Sequence, residues 1–227
     1  MSKFSDILWT IIGIPFAPLF LLIGLFVPDK AKSIIILGTK EAGKTTLWLG
    51  LGGIKEYQPN TQVEPIQSFT ITRADGTTVV ISETYDIGGE DEFVPNYDKL
   101  IKEETFIYYL VNSNKITFHD YMTRIRSDLL RINKSVKDKG IPEDKIGIKF
   151  LLTHYYDYRQ YNPRNSEHEL YRQFWNELRK LEGRGAIGKK LTSDDYEKVM
   201  MVAELDPHKA GLLGKKYIDI IKNEIGT

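Results

Sequence analysis

From Ser33 onward, short apolar runs alternate with amphipathic stretches. Ser33–Leu37 reads Ser-Ile-Ile-Ile-Leu, a continuous apolar run that predicts a buried parallel strand. Thr46–Leu51 predicts the first turns of a helix, and the polar, proline-containing Lys55–Pro65 predicts a loop. Gln67–Arg73 alternates apolar and polar residues as a half-buried strand does, and Thr77–Tyr85 predicts the returning strand. Asp75-Gly76 between them is a hairpin turn signal. Asp86–Tyr97 holds glycines, acids and Pro95, and predicts a loop leading into a short helix. Phe106–Val111 and Ile146–Leu152 predict buried strands. Phe118–Lys137 predicts a helix with Tyr121, Ile125, Leu129 and Ile132 on one face. Ser166–Leu181 predicts another, opened by a capping box of Ser166 and Glu169. Tyr196–Leu205 predicts a last strand, and Lys209–Ile225 a last helix. The order implies an α/β fold: a mostly parallel six-stranded sheet with one antiparallel strand and helices on both faces.

The N-terminus breaks this rhythm. Ile7–Val27 carries no charged residue and is long enough to span a hydrocarbon core as a helix. Lys3 and Asp6 flank it on one side, and Asp29, Lys30 and Lys32 on the other. Pro15 and Pro18 would kink such a helix or turn it back as a re-entrant hairpin. A cleaved signal peptide would have a shorter apolar region, a more basic start and a small-residue cleavage site. Residues 1–30 are therefore expected to be a membrane anchor, and residues 31–227 one globular domain. The lysines after the stretch favour a domain facing the cytoplasm. The absence of cysteine excludes prenylation, palmitoylation, disulfides and thiolate metal sites, and Ser2 excludes N-myristoylation.

Bulk numbers narrow the function classes. Lys plus Arg number 31, as do Asp plus Glu, a balance that gives no basic surface for nucleic acid. Hydrophobic residues make up 41% of the chain, enough for a sizeable core. Gly183–Lys190 reads as a loop, and no internal repeat is present.

Candidate chemistry centres on Gly38-Thr39-Lys40-Glu41-Ala42-Gly43-Lys44-Thr45, a complete G-x-x-x-x-G-K-[ST] phosphate-binding loop. It follows a predicted strand and opens a predicted helix, the context this motif requires. Gly38 and Gly43 let the backbone approach phosphate oxygens because they carry no Cβ. Backbone N–H groups from Gly38 to Thr46 then cradle the anion at a helix N-terminus. Lys44 is expected to reach the β- and γ-phosphates, and the Thr45 hydroxyl to ligate Mg²⁺.

With this loop, Asp86-Ile87-Gly88-Gly89 makes the chain from about Ser33 to its end resemble the Ras-like small GTPases. The nearest branch is similar to the Arf group and the β-subunit of the signal-recognition-particle receptor, which would also match an N-terminal anchor. The resemblance implies a P-loop NTPase fold of the Ras-like G-domain type, GTP or GDP with Mg²⁺ as ligands, and a protein effector or receptor as partner. It implies Asp86 as a Mg²⁺ ligand through water, Gly89 as the N–H that senses the γ-phosphate, and Thr61 as the metal-ligating threonine of the first switch loop. Loss of the γ-phosphate would release the loops around Thr61 and Asp86–Pro95.

Three departures bear on activity. The family places Gln after D-x-G-G to orient the attacking water, and this chain has Glu90. A carboxylate there adds negative charge beside phosphate and cannot donate to it, so slow hydrolysis is expected, with Glu90, Thr61 and Lys44 as the catalytic set. No arginine stands in the Thr61 loop to act in cis. The base-reading N-K-x-D becomes His154-Tyr155-Tyr156-Asp157. Asp157 keeps the guanine-reading position, and the Tyr155 ring is expected to stack on the purine. Of the third base element only Ala203, in Val202-Ala203-Glu204, matches.

Two functions compete on these residues. One is a membrane-anchored GTP-binding switch with weak hydrolysis. The other is a receptor or scaffold subunit that holds nucleotide with little turnover. A P-loop ATPase or kinase of another family is disfavoured by the hairpin and by Asp157.

Overall fold

The computed structural model describes residues 33–55, 63–89, 96–142, 145–180, 196 and 198–225. Four parallel strands form the central sheet in the order β1-β6-β7-β8: β1 Ser33–Gly38, β6 Thr105–Asn112, β7 Ile146–Thr153 and β8 Met200–Val202. Ser33 pairs with Thr105, Thr105 with Ile146, and Phe150 with Met200. Every residue of β1, β6 and β7 is buried, as continuous apolar runs covered on both faces require.

An antiparallel hairpin follows the first helix, α1 (Lys44–Leu51). It consists of two short ladders, β2 (Val63–Ile66) with β5 (Thr84–Ile87) and β3 (Phe69–Thr72) with β4 (Thr78–Ile81). The Asp75-Gly76 turn closes it: the Asp75 carboxylate accepts from the Thr77 N–H at 2.9 Å and from its hydroxyl at 2.7 Å, and Gly76 takes φ 82.

The expected six-stranded sheet is thus realised as four parallel strands and a separate hairpin in two pieces. The strand start at Val63 falls inside the loop expected over Lys55–Pro65, and Pro65 within it has no N–H to give to a ladder. The last strand is also shorter than expected, three residues rather than Tyr196–Leu205. Tyr196, Lys198 and Val199 are helical instead, because a short apolar run does not by itself separate strand from helix.

Helices cover the sheet: α2 (Tyr97–Leu100), α3 (His119–Asp138), α4 (Tyr155–Tyr161), α5 (Glu167–Lys180), α6 (Pro207–Leu212) and α7 (Tyr217–Glu224). The predicted stripe on α3 buries Ile125, Leu129 and Ile132. On α5 the capping box forms as expected, the Ser166 N–H donating to Glu169 Oε2 at 2.7 Å and the Glu169 N–H to Ser166 Oγ at 3.2 Å. The single helix expected over Lys209–Ile225 is two, because Gly214 (φ 66) reverses the chain between them. Trp48, Trp175, Tyr97, Tyr108 and Tyr109 are the largest side chains sealed in the core among the described residues.

Among the described residues no helix is long and apolar enough to cross a membrane. The anchor expected over Ile7–Val27 lies outside the described residues, as do Thr61, Glu90 and the Gly183–Lys190 loop.

Candidate nucleotide-binding site

The glycine loop leaves β1 and enters α1 along the C-terminal edge of the parallel strands, where open α/β sheets bind ligands. Gly38 takes φ 138, and a Cβ there would run into the carbonyl of Leu110 on β6. Gly43, the residue before α1, takes φ 93, and a Cβ there would meet Leu205 Cδ1 at 2.9 Å. Backbone conformation thus demands glycine at both positions, and at Gly38 the backbone of Leu110 leaves no space for a Cβ either.

Lys44 is buried, and its Nζ donates to the Thr39 carbonyl at 2.9 Å. Burial pushes its ammonium down to about 8, against the pull of Asp86 and Asp128. Asp128 lies on α3 in the interior, where it accepts from the Tyr109 hydroxyl at 2.7 Å and pairs with Arg124 at 2.9 Å. Burial raises the Asp128 carboxyl, and Tyr109 and Arg124 oppose that rise.

The two expected metal-ligating groups that lie in described residues are brought together. The Thr45 hydroxyl donates to Asp86 Oδ2 at 2.7 Å, joining the start of α1 to β5. One residue past the end of that strand's Asp86-Ile87-Gly88 run, Gly89 presses on the loop so closely that a Cβ would collide with the Thr39–Lys40 backbone. A hydroxyl and a carboxylate are hard oxygen donors of the kind Mg²⁺ takes, and the cradle is lined by backbone without side chains. The residues present therefore fit a Mg²⁺–nucleotide.

The base end is built differently. Thr153, at the end of β7, shares its single hydroxyl proton between Ala42 O at 2.9 Å and Val111 O at 3.2 Å. His154 Nε2 lies 2.9 Å from the Glu41 carbonyl, which can only accept, so this nitrogen carries the proton. Glu41 (φ 61) and His154 (φ 57) both sit in left-handed backbone. Such residues cost on the order of 1 kcal/mol each and persist where surrounding contacts fix them. Here the strained pair is bonded to itself. Glu41 also pairs with Lys115 at 3.0 Å, which holds its carboxyl below the ordinary range. Tyr121 adds a further strut, its hydroxyl accepting from Thr39 Oγ1 at 2.9 Å and from the Asn112 N–H at 2.7 Å.

Asp157, in the first turn of α4, receives both its hydrogen bonds from one group. Lys209 Nζ lies 2.9 Å from Oδ1 and 2.8 Å from Oδ2, and each side chain is one-third exposed. Hydrogen bonding to Asp157 raises the Lys209 ammonium above the usual lysine range. Beside this pair, the buried Glu204 carboxylate accepts from the Tyr156 N–H at 3.0 Å and the Asp206 N–H at 3.1 Å.

One expected contributor is placed elsewhere, and another is described by its backbone alone. Tyr155 does not offer its ring to a purine: it is buried and stacked on Tyr158, centroids 6.5 Å apart. Its apolar ring is drawn inward at the start of α4. Ala203 is fully buried, and its N–H donates to Leu152 O at 2.9 Å, continuing the β7–β8 pairing. Sequence reasoning missed Thr153, Tyr121, Glu204 and Lys209. Tyr121 read as one more member of a core stripe, and the others carried no local pattern.

A model of the ADP-ribosylation factor family matches residues 20–139. No curated protein matches the chain significantly. Among solved structures it is similar to a bacterial selenocysteine-specific elongation factor, EF-Sec, at 19% identity and TM-score 0.47, over 86% of this chain and 28% of that one. It is therefore much shorter than that relative. It is also similar to the signal recognition particle receptor SRb-GTP/SRX complex from Chaetomium thermophilum at 13% identity and TM-score 0.49, over 77% of this chain and 89% of that one. A third is the Arl6 BBS3 small GTPase from Trypanosoma brucei, at 11% identity and TM-score 0.49, over 84% and 96%. With an intact phosphate loop, a D-x-G-G run folded onto it and a family match over more than half its length, this chain belongs to the ADP-ribosylation factor family and is a Ras-like P-loop GTPase domain.

Proposed function

We propose that this protein is a membrane-anchored switch that binds GTP with Mg²⁺ and hydrolyses it slowly. The observation that carries the reading is the 2.7 Å bond from Thr45 to Asp86, with Gly89 seated on Thr39–Lys40. These contacts join the phosphate loop to the segment that must respond to the γ-phosphate.

Each residue has a distinct task. The amides from Gly38 to Thr46 cradle the phosphates, and Lys44 balances their charge. Thr45, Asp86 and Thr61 would hold Mg²⁺, which supplies charge neutralisation on the β- and γ-oxygens. Gly89 donates its N–H to the γ-phosphate. Asp157 accepts from the guanine ring. Glu90 stands where water is positioned, and its carboxylate keeps turnover low. Residues 7–27 tether the domain to a membrane on its cytoplasmic side, where a protein effector or receptor engages the loops around Thr61 and Glu90.

The test uses the full chain in detergent micelles, with fluorescent GTP and ATP analogues and Mg²⁺. Binding selective for GTP, abolished in Lys44→Ala, is expected. Equal binding of both bases would remove guanine recognition, and no binding at all would remove the switch. Replacing Glu90→Gln is expected to raise single-turnover hydrolysis; a flat or lower rate would remove Glu90 from the water-positioning place. A second reading, nucleotide held permanently as a structural part of a receptor, is favoured by Glu90 and by the ties from Thr153 and His154 to the loop. Bound nucleotide that fails to exchange over hours would select it.

A further inference from the structure

The base-reading carboxylate is not alone. Lys209 Nζ stands astride both oxygens of Asp157, at 2.9 and 2.8 Å. Lys209 is itself well placed by its own backbone. The Asp206 side chain caps α6 by accepting from the His208 and Lys209 N–H groups at 2.9 and 3.2 Å, and Pro207 stiffens the first turn.

Guanine presents an acceptor, O6, beside two donors on its pairing edge. A lone carboxylate can satisfy the donors and leaves O6 to another group. Most backbone donors from Asp206 to Lys209, the turn that carries Lys209, are already engaged. The Ala203 N–H goes to Leu152 O, the Asp206 N–H to Glu204, and the His208 and Lys209 N–H groups to Asp206. Pro207 has none. The Lys209 ammonium is a cation with three donors on a flexible stem. Each carboxylate oxygen has two lone-pair sites, so Asp157 can keep one hydrogen bond to Lys209 while it accepts from a base.

We propose that Lys209 is a specificity-determining residue of the base site: held by Asp157, its ammonium donates to the 6-oxo oxygen of a purine while Asp157 accepts the ring N–H and amino hydrogens. The inference rests on the reading of Asp157 as the base-reading carboxylate. The pair presents one donor beside one acceptor. A 6-amino group would direct its hydrogens at the ammonium, so the pair favours 6-oxopurines over 6-aminopurines.

The test measures equilibrium dissociation constants of GDP and of 6-thioguanosine diphosphate, which keeps the ring N–H and the 2-amino group and replaces the 6-oxo oxygen by a weaker acceptor. The full chain in detergent is compared with Lys209→Met and Lys209→Arg, each checked for an unchanged melting temperature. Lys209→Met is expected to weaken GDP binding about tenfold and to erase most of the preference over the 6-thio nucleotide. Lys209→Arg, which keeps the cation, is expected to retain the preference. GDP binding that is unchanged or tighter in Lys209→Met would overturn the proposal and leave Lys209 a counter-ion that the base displaces. Wild-type protein that binds GDP and ADP equally, with both lost in Lys44→Ala, would overturn the base-reading role of Asp157 and this inference with it, leaving phosphate recognition standing.

Discussion

At the phosphate end of the site, Lys44 is buried and bonded to a main-chain carbonyl, and Gly38 has no room for a Cβ. At the base end, Asp157 and Lys209 are each one-third exposed and meet through flexible side chains contributed by two separate helices. The phosphate end depends on backbone conformation, which few residue types can supply. The base end depends on hydrogen-bonding atoms that several side chains can deliver. His154 illustrates the second case: it stands at the Asn position of the base-reading motif and bonds the Glu41 carbonyl through a ring nitrogen. A binding loop thus tolerates little substitution where it is made of main chain, and much where it is made of side chains.

The largest effect should come from Lys44, where function and stability oppose each other. Burial holds its folded-state value near 8, against an ordinary lysine value of 10.5. A lysine lowered by folding destabilises the native state at low pH, and the cost is relieved as pH rises from about 8 toward about 10.5. Lys44→Met should therefore be more stable than wild type at pH 7, by up to about 3 kcal/mol. The gain should shrink toward zero by about pH 10. The same variant should lose nucleotide affinity by at least about a hundredfold, since a buried cation facing phosphate is removed. Paired denaturation curves at pH 7 and 9.5 check the first claim; an equal gain at both would mean that the ammonium is not the source. Next in size, Gly38→Ala should destabilise by about 3 kcal/mol, because it adds both a strained φ and a clash with Leu110 O. A melting temperature within a degree of wild type would show that the loop relaxes freely.

At the base end the effects should be smaller and more forgiving. Thr153→Val removes the one hydroxyl donor shared by two main-chain carbonyls and should cost about 1–2 kcal/mol. His154→Ala should cost about 1 kcal/mol and speed nucleotide release several-fold, whereas His154→Asn should restore both. If His154→Asn behaves like His154→Ala in stopped-flow release, the ring rather than the hydrogen bond is what matters.

The same division explains what could be read in the residues beforehand. Gly38–Thr45 and Asp86–Gly89 are contiguous, and their spacing reports the backbone geometry directly, so the phosphate end was legible. The expected base end is assembled from Thr153, His154, Asp157, Glu204 and Lys209, and the bond from Asp157 to Lys209 joins two helices that have α5 and β8 between them in the chain. No local pattern announces such a meeting. Tyr155 misled because an aromatic ring beside a base site is attractive to either partner, and the core competed successfully. In the fold, the long buried strands, the α3 stripe and the α5 capping box were legible. The β3–β4 hairpin and its Asp75-Gly76 turn were legible too. The short β2 and the three-residue β8 were not, since neither carries enough periodicity to fix its bounds.

The smallest effect should fall on Glu41, although it sits within the phosphate loop. Its carboxylate pairs with Lys115 at 3.0 Å, but two-thirds of its side chain is in solvent, where water screens the attraction. The Lys115 bond lowers the Glu41 carboxyl, so any stabilisation exists above its ordinary value near 4.5 and is lost as pH falls through the lowered value. At pH 7, Glu41→Gln should change stability by less than about 0.5 kcal/mol. The main-chain carbonyl of residue 41 still meets His154, and the left-handed backbone remains available to glutamine at a similar strain. Removing a negative charge from the loop should, if anything, tighten nucleotide binding slightly. A loss of more than about 1 kcal/mol on chemical denaturation would show that this side chain, and not only the backbone beneath it, holds the loop in shape, and the contrast between the two ends of the site would then have to be redrawn.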